Sequence, residues 1–332
     1  MREFIKGWHE QFPDDQLIVL VPGHLPDNDD CLDGVRYEVT RLRLQALINA
    51  WALPRLAHKS GADLMVAHNF SPLFGNSSVF IHDVMFIDHP EWFTRVERIY
   101  FRLMVVTAQR ANHLFTSSAT EAERIKRVTA REKVTSVGLG LSEALIQSVA
   151  RPPSNLPLYA HEFYLSVGRL NVRKNLVSTI EALAAANLLS PEMPLVIVGE
   201  ASGRTPREAA LVQRLVEENS VIFMGAVPEG ELRWLYENCA VFVFMSLDEG
   251  FGLPCIEALH FQAPAAVSDI SVFHELLGDY AEYAAPLDFA EISRAVIRAQ
   301  RQRDDLADTD FLGRNYDWSS CVQAIRQVSA TN

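Results

Sequence analysis

Cysteine is scarce in this chain: four in 332 residues, at Cys31, Cys239, Cys255 and Cys321, with no two inside four positions of each other. That spacing excludes a zinc ribbon and a Cys-x-x-Cys redox pair, and it fits reduced, mostly buried thiols in a cytoplasm. Glycine and proline, 16 each, are too few for a collagen-like or low-complexity chain. No apolar run approaches the roughly 18 residues that span a bilayer, and the opening MREFIKGWHEQF lacks the apolar core of a signal peptide. Positive charge is also in deficit. The chain has 30 Lys+Arg against 42 Asp+Glu, a net charge of −12, so duplex nucleic acid, whose phosphates need a basic face, is excluded as the main partner. Residues 1–150 hold 16 basic and 18 acidic side chains and residues 151–332 hold 14 and 24, so the second half carries most of the negative charge.

What is present is an ordinary globular composition, 48% hydrophobic and 22% charged, in a chain long enough for two domains. Short β-branched runs alternate with segments of helical period, the pattern of parallel sheets covered by helices. Residues 16–22, 63–68, 78–82, 113–118 and 133–138 read as strands in the first half, and 163–168, 194–199, 220–225, 241–246 and 265–269 in the second. The fold class predicted is therefore α/β, two Rossmann-like doubly wound domains facing a cleft. Residues 1–150 form the first and 151–318 the second, and a helix over 319–332 is placed to pack back on the first. The proline-bearing stretch 148–162 reads as the linker.

Two segments carry chemistry. In SLDEGFGLPCIEALHF (246–261) a buried strand passes through Gly250 and Gly252 into a helix with Pro254 in its first turn, where a missing N–H costs nothing. The amides of Phe251, Gly252 and Leu253, with the positive end of the helix dipole, make an anion pocket. Glu249 beside it would repel phosphate unless it met hydroxyl donors, which points to a sugar; a plain capped helix with two solvated glutamates, Glu249 and Glu257, is the competing reading. In SVGRLNVRKN (166–175), Arg169, Arg173 and Lys174 follow a strand and suit phosphate oxygens, or else form a solvated turn.

With GRLNVRKN, VIVGEASG, IFMGAVPEGELRWLYENC, EGFGLPCIEA and HELLGDYAEYAAPLD in this order, and VFIHDVMFIDHPEWF and ANHLFTSSATEAERI before them, the chain resembles the retaining nucleotide-sugar glycosyltransferases of the two-Rossmann-domain (GT-B) type. The resemblance is to family four, which includes many bacterial polysaccharide mannosyltransferases, and it covers about residues 60–330. It implies a metal-independent hexosyltransferase that needs no cofactor beyond its donor, a nucleotide-diphosphate sugar with GDP-mannose favoured, and that serves a glycan or lipid-linked acceptor. It implies that Arg169 and Lys174 hold the donor diphosphate and stabilise the leaving group. Glu249 would bind donor-sugar hydroxyls, with the amides of Gly250, Phe251, Gly252 and Leu253 assisting, and Glu257 the ribose hydroxyls. Gly199 would make room for the nucleoside and the backbone of Ala226 and Val227 would meet the base. His82 would contact the donor sugar from the first domain, with Asp83 fixing its surroundings; an ordinary buried histidine bonded to a backbone carbonyl is the competing reading of His82, and Asp88 and His89 suit shaping the loop or the acceptor side.

Two departures accompany the resemblance. The family begins with a strand and Gly-rich turn, whereas MREFIKGW reads as helix, so the first domain is expected to lack its first strand. Gln262 stands where the family usually has Gly. The alternative function is thus a non-catalytic nucleotide-sugar-binding module or a truncated inactive homologue. DNDD (27–30) resembles an acidic metal motif but suits a solvated loop better, and no metal site is expected. Arg95, Arg98 and Arg102, with Arg110, Arg124, Lys126, Arg127, Arg131 and Lys133, make a locally basic region. It suits either peripheral contact with anionic lipid headgroups at the inner membrane face or a solvated helix face.

Overall fold

The structure, a computed structural model, describes residues 2–25, 31–154, 156, 158–200, 210–301 and 316–330. DNDD therefore lies outside the described residues, as does the end of VIVGEASG. The chain divides into two compact units, Met1–Gly140 with Tyr316–Asn332, and Leu141–Asn315.

The first unit runs α1 (Arg2–Gln11), β1 (Ile18–Pro22), β2 (Arg36–Thr40), α2 (Gln45–Leu47), a π-helical turn (Ile48–Ala52), α3 (Leu53–Ser60), β3 (Met65–His68), β4 (Ser77–Phe80), α4 (Met85–Asp88), α5 (Arg95–Ala108), β5 (His113–Thr116), α6 (Ala119–Thr129) and β6 (Thr135–Ser136). Its strands form two separate parallel sheets, β1-β2 and β3-β4-β5-β6. Helix α5 starts at a reciprocal cap: the Thr94 hydroxyl accepts from the Glu97 amide, and the Glu97 carboxylate accepts from the Thr94 amide. The final helix, residues Trp318–Ser329, belongs to this unit and pairs with α1. Its Cys321, Val322 and Ile325 are buried with Phe4 and Trp8 of α1 and with Phe80 and Phe115 of the sheet. Arg326 donates to both carboxylate oxygens of Asp15 at 2.8 and 2.9 Å.

The second unit runs α7 (Glu143–Gln147), β7 (Tyr164–Val167), a 3-10 turn (Val172–Lys174), α8 (Leu176–Ala185), β8 (Leu195–Val198), α9 (Ala210–Glu217), β9 (Val221–Gly225), α10 (Glu229–Asn238), β10 (Val241–Phe244), α11 (Leu253–His260), β11 (Ala265–Ser268), α12 (Ser271–Leu277), β12 (Ala281–Ala284) and α13 (Phe289–Arg301); the final helix above is α14. All six strands are parallel, in the order β12-β11-β10-β7-β8-β9. Runs such as VFVF in β10 and LVIV in β8 are buried at every position, as strands covered by helices on both faces require. The segment read as a linker is held along α10. Arg151 N–H donates to the Gly230 carbonyl at 2.9 Å, His161 N–H to Asn238 at 2.7 Å, and Arg233 to the carbonyls of Ile146 and Ser148 at 2.8 and 2.7 Å.

Candidate functional site

The strand order of the second unit reverses between β7 and β10: the chain leaves β7 toward β8 on one side and β10 toward β11 on the other. Open α/β sheets bind ligands at the carboxyl ends of the strands at such a switch point. The loops there are the two segments that the sequence singled out. After β7 come Gly168, Arg169 and the 3-10 turn, and after β10 come Ser246 to Gly252 and the start of α11.

The loops are tied to each other by backbone and side chain. Leu247 N–H donates to the Arg173 carbonyl at 2.8 Å, and the Arg173 guanidinium donates to the Asp248 carbonyl at 3.1 Å. Lys174 Nζ lies 2.7 Å from Glu249 Oε1 and 4.1 Å above the Phe244 ring. The guanidinium of Arg173 pairs with Glu249 Oε2. Glu249 N–H donates to Asp248 Oδ1 at 2.8 Å, and Asn171 caps the 3-10 turn by accepting from Lys174 N–H. Glu249 is 7% exposed. Burial works to raise its carboxyl, but the charges of Lys174 and Arg173 outweigh it and hold Glu249 below its ordinary value. Burial lowers Lys174, with Arg173 adding to the effect and Glu249 opposing it.

Glycines make this close approach feasible. Gly168 and Gly199 have φ of +144° and +140°, and a Cβ on Gly199 would stand 2.0 Å from the Gly168 carbonyl oxygen. Gly252 precedes α11 at φ +103°, with the Phe273 ring where its Cβ would be. In the first turn of α11 Pro254 has no N–H and Cys255 N–H donates to the Gly252 carbonyl at 2.9 Å, so Leu253 carries the first amide that has no acceptor within the helix.

One helix turn further, Glu257 Oε2 accepts the hydroxyl of the fully buried Tyr236 at 2.9 Å. Burial raises the Glu257 carboxyl to about 6, with the Tyr236 hydrogen bond pulling against it. Gly199 closes β8, and Ala226 and Val227 follow β9, so four adjacent strand ends carry the expected donor residues. Arg169 is exposed and makes no ion pair among the described residues; Arg173 is the cation that joins Lys174 on Glu249. Sequence reasoning set Arg173 with Arg169 and Lys174 on phosphate oxygens rather than on Glu249, and missed Tyr236, Phe244 and Asp248. The first of these stood in the quoted motif, but no spacing rule marks a tyrosine on one helix as the partner of a glutamate on another.

In the first unit, His82 follows β4. Its backbone N–H donates to Asn69 Oδ1 at 3.2 Å, and its Nε2 is 3.1 Å from His68 Nδ1. Burial, with the His82 ring beside it, pushes His68 down to about 3, and burial against its neighbours lowers His82. Both rings are neutral near pH 7 as a result, which leaves one His82 nitrogen, Nδ1, for another partner. Asp83 Oδ1 accepts from Met85 N–H at 3.3 Å, and the buried Glu121 accepts from Val84 N–H at 2.9 Å. Asp88 is engaged by Arg124 and Arg127, while His89 stacks on Trp92 at 3.9 Å.

Comparison with known proteins fits this geometry. Residues 156–310 match the family described as Glycosyl transferases group 1. The chain is 29% identical over 281 residues to the O-antigen chain mannosyltransferase RfbU of Salmonella typhimurium, covering 83% of this chain and 76% of that protein. It is 25% identical over 270 residues to the GDP-mannose:cellobiosyl-diphosphopolyprenol alpha-mannosyltransferase of Komagataeibacter xylinus, covering 77% and 66%. In fold it matches the Anabaena protein Alr3699/HepE, solved with UDP and glucose, at a TM-score of 0.72 and 16% identity over 100% of this chain and 96% of that one.

Proposed function

We propose that this chain is a glycosyltransferase of the group 1 kind with the GT-B fold and that it moves mannose from GDP-mannose to a growing glycan or lipid-linked acceptor with retention of configuration. The likeness to two mannosyltransferases supports the sugar, and the name of one of them supports the donor. The observation that carries the reading is the contact of Lys174 with Glu249 at 2.7 Å, because it brings a phosphate-binding turn and a sugar-binding carboxylate to one point at the start of a helix.

In this reading the diphosphate lies against Lys174, Arg169 and the amides of Gly250 to Leu253, which meet the negative charge that grows on it as the sugar departs. Arg173 holds the Glu249 carboxylate in place, and Glu249 turns its remaining acceptor capacity to hydroxyls of the mannose. Glu257, oriented by Tyr236, accepts from the ribose hydroxyls, while Gly199, Ala226 and Val227 border the nucleoside. The departing phosphate takes the acceptor proton on the face it leaves, so configuration is kept and no enzymic base or metal ion is called on. The reading includes a cytoplasmic setting, supported by the four scattered cysteines of the sequence, and peripheral contact with a membrane bearing the acceptor.

Calorimetric titration with GDP, UDP and ADP, followed by transfer from GDP-mannose, tests this. GDP is expected to bind at least about tenfold tighter than the other two, and the product linkage to keep the donor's anomeric configuration. A preference for UDP or ADP removes the mannose assignment, and GDP binding without any transfer would leave only a nucleotide-binding module.

A further inference from the structure

The end of strand β3 meets His82 at two points. Asn69 Oδ1 accepts the His82 backbone N–H at 3.2 Å, and His68 Nδ1 lies 3.1 Å from His82 Nε2. The two imidazole centroids are 5.2 Å apart with planes inclined by 26°, so the rings meet nitrogen to nitrogen along their edges rather than face to face. Beyond this contact His82 is exposed. His68 is set back among rings, with Phe80 at 5.7 Å and Phe4 at 5.9 Å, the latter perpendicular to it.

Both anchors are themselves fixed. The buried Asn49, in the π-helical turn, donates from Nδ2 to the carbonyls of His68 and Phe70, each at 2.9 Å, and its Oδ1 accepts from Gln45 Nε2 at 2.8 Å. Asn69 N–H donates to the Phe80 carbonyl at 2.8 Å, and Asn69 has a φ of +65°, a left-handed conformation that asparagine accepts more readily than most residues. Residues 68–70 are thus braced beside the chain that leaves β4, and a side chain held at both ring and backbone keeps one orientation.

The contact also fixes where the protons are. A neutral imidazole has one N–H and one acceptor nitrogen, so a single proton lies between the facing nitrogens of His68 and His82. His68 Nε2 is buried and has no hydrogen-bond partner among the described residues. Were His82 the donor, the His68 proton would stand on that atom as an orphaned N–H, an arrangement rarer in folded proteins than an unfilled acceptor. With His68 as the donor, only a lone pair is left inside the aromatic shell. His82 Nε2 is then the acceptor, and the His82 proton is on Nδ1.

We infer that His68 and Asn69 are positioning residues for His82: His68 donates to His82 Nε2, Asn69 fixes the backbone, and His82 keeps Nδ1–H as a neutral donor in a set direction for an acceptor oxygen of the substrate. The tautomer is a property of the first unit alone, while its part in sugar transfer rests on the function proposed above.

Two-bond proton–nitrogen correlation spectra of the full chain with isotope-labelled histidine test the tautomer, with His82→Gln identifying the His82 signals. In the wild type His82 is expected to carry its proton on Nδ1. In His68→Phe, which keeps an aromatic ring but no donor, it should shift towards the Nε2–H form that free imidazole side chains favour. His68→Asn, whose amide brings an N–H near the former Nδ1, should restore Nδ1–H. The kcat for transfer from GDP-mannose should fall about tenfold in His68→Phe, the worth of about one hydrogen bond, and recover in His68→Asn, with GDP affinity unchanged in both. Asn69→Gly, which keeps the left-handed backbone but loses the acceptor, should lower kcat likewise, and Asn69→Asp should retain it. A wild-type His82 protonated on Nε2, or a tautomer indifferent to His68→Phe, would overturn the inference, as would an unchanged kcat in His68→Phe. A wild type that transfers no sugar would sink the proposed activity instead, and the spectra would still decide the tautomer.

Discussion

Lys174 and Glu249, 75 residues apart in sequence, meet at 2.7 Å with both side chains almost wholly buried. Removing Lys174 leaves Arg173 to balance a carboxylate that water barely reaches. Breaking such a pair costs about 3–5 kcal/mol, so Lys174→Ala should lower the urea midpoint clearly, and Lys174→Ala/Glu249→Gln should lose less than the two single changes summed. Transfer should fall about 10²–10³-fold in Lys174→Ala. Because Glu249 is held below its ordinary value of 4.5, its contribution is complete above that pH and is lost as pH falls through the lower folded value. An unaltered melt together with full activity would sink the role of this pair.

Gly199 should tolerate no side chain. A methyl group there would stand 2.0 Å from the Gly168 oxygen at a φ of +140°, so Gly199→Ala should force β7 and β8 apart and either fail to fold or lose several-fold more stability than a control. Gly225→Ala is that control: its φ is also positive, at +71°, but nothing lies within 4 Å of the added carbon, and a loss of about 1–2 kcal/mol is expected from backbone strain alone. Urea melts of the two side by side decide it.

Tyr236→Phe should change the pH dependence of nucleotide binding without touching the nucleotide. Glu257 is raised from 4.5 to about 6, so the folded state holds its proton more tightly than the unfolded chain does. Its contribution to stability therefore declines as pH rises from about 4.5 to 6, by about 2 kcal/mol, a decline absent in Glu257→Gln. GDP binding through the ionised carboxylate should strengthen over the same range. Since the Tyr236 hydroxyl pulls the Glu257 value down, its removal should shift the binding curve to higher pH. Calorimetry from about pH 5 to 8 reads this; an unmoved curve would reduce Tyr236 to a packing residue.

Gln262→Gly should stabilise. Gln262 sits at φ +57° just past α11, where Gln262 N–H donates to the Leu259 carbonyl at 3.0 Å and Ala263 N–H to Ala258 at 2.9 Å. This is the helix ending that glycine favours, and relief of the left-handed strain is worth up to about 1 kcal/mol. A lower melting temperature in Gln262→Gly would contradict this account.

The same physics explains which parts of the fold were legible in the sequence. Strands such as β8 and β10 are apolar at every position because helices cover both faces, so they stand out as unbroken runs. By contrast β2, RYEVT, alternates charge with apolar side chains, has no fully buried residue and among the described residues pairs only with β1; it went unread. So did β12, AEYA, at the sheet edge, although the motif containing it was recognised. At the site, the meeting of the 169–174 and 249–257 segments follows from strand order and was foreseeable. Which of Arg169 and Arg173 turns to Glu249 depends on the 3-10 turn over Val172–Lys174, and periodicity carries no signal for a three-residue element.

The return of α14 to α1 has a consequence for biosynthesis. Residues 141–315 form a closed six-stranded unit that a ribosome delivers in one uninterrupted piece, whereas the first unit waits for Cys321, Val322 and Ile325 to fill the gap beside Phe4 and Trp8. The N-terminal half, although translated first, is thus the last to be sealed, and in the interval its unfilled apolar surface is open to chaperones and proteases.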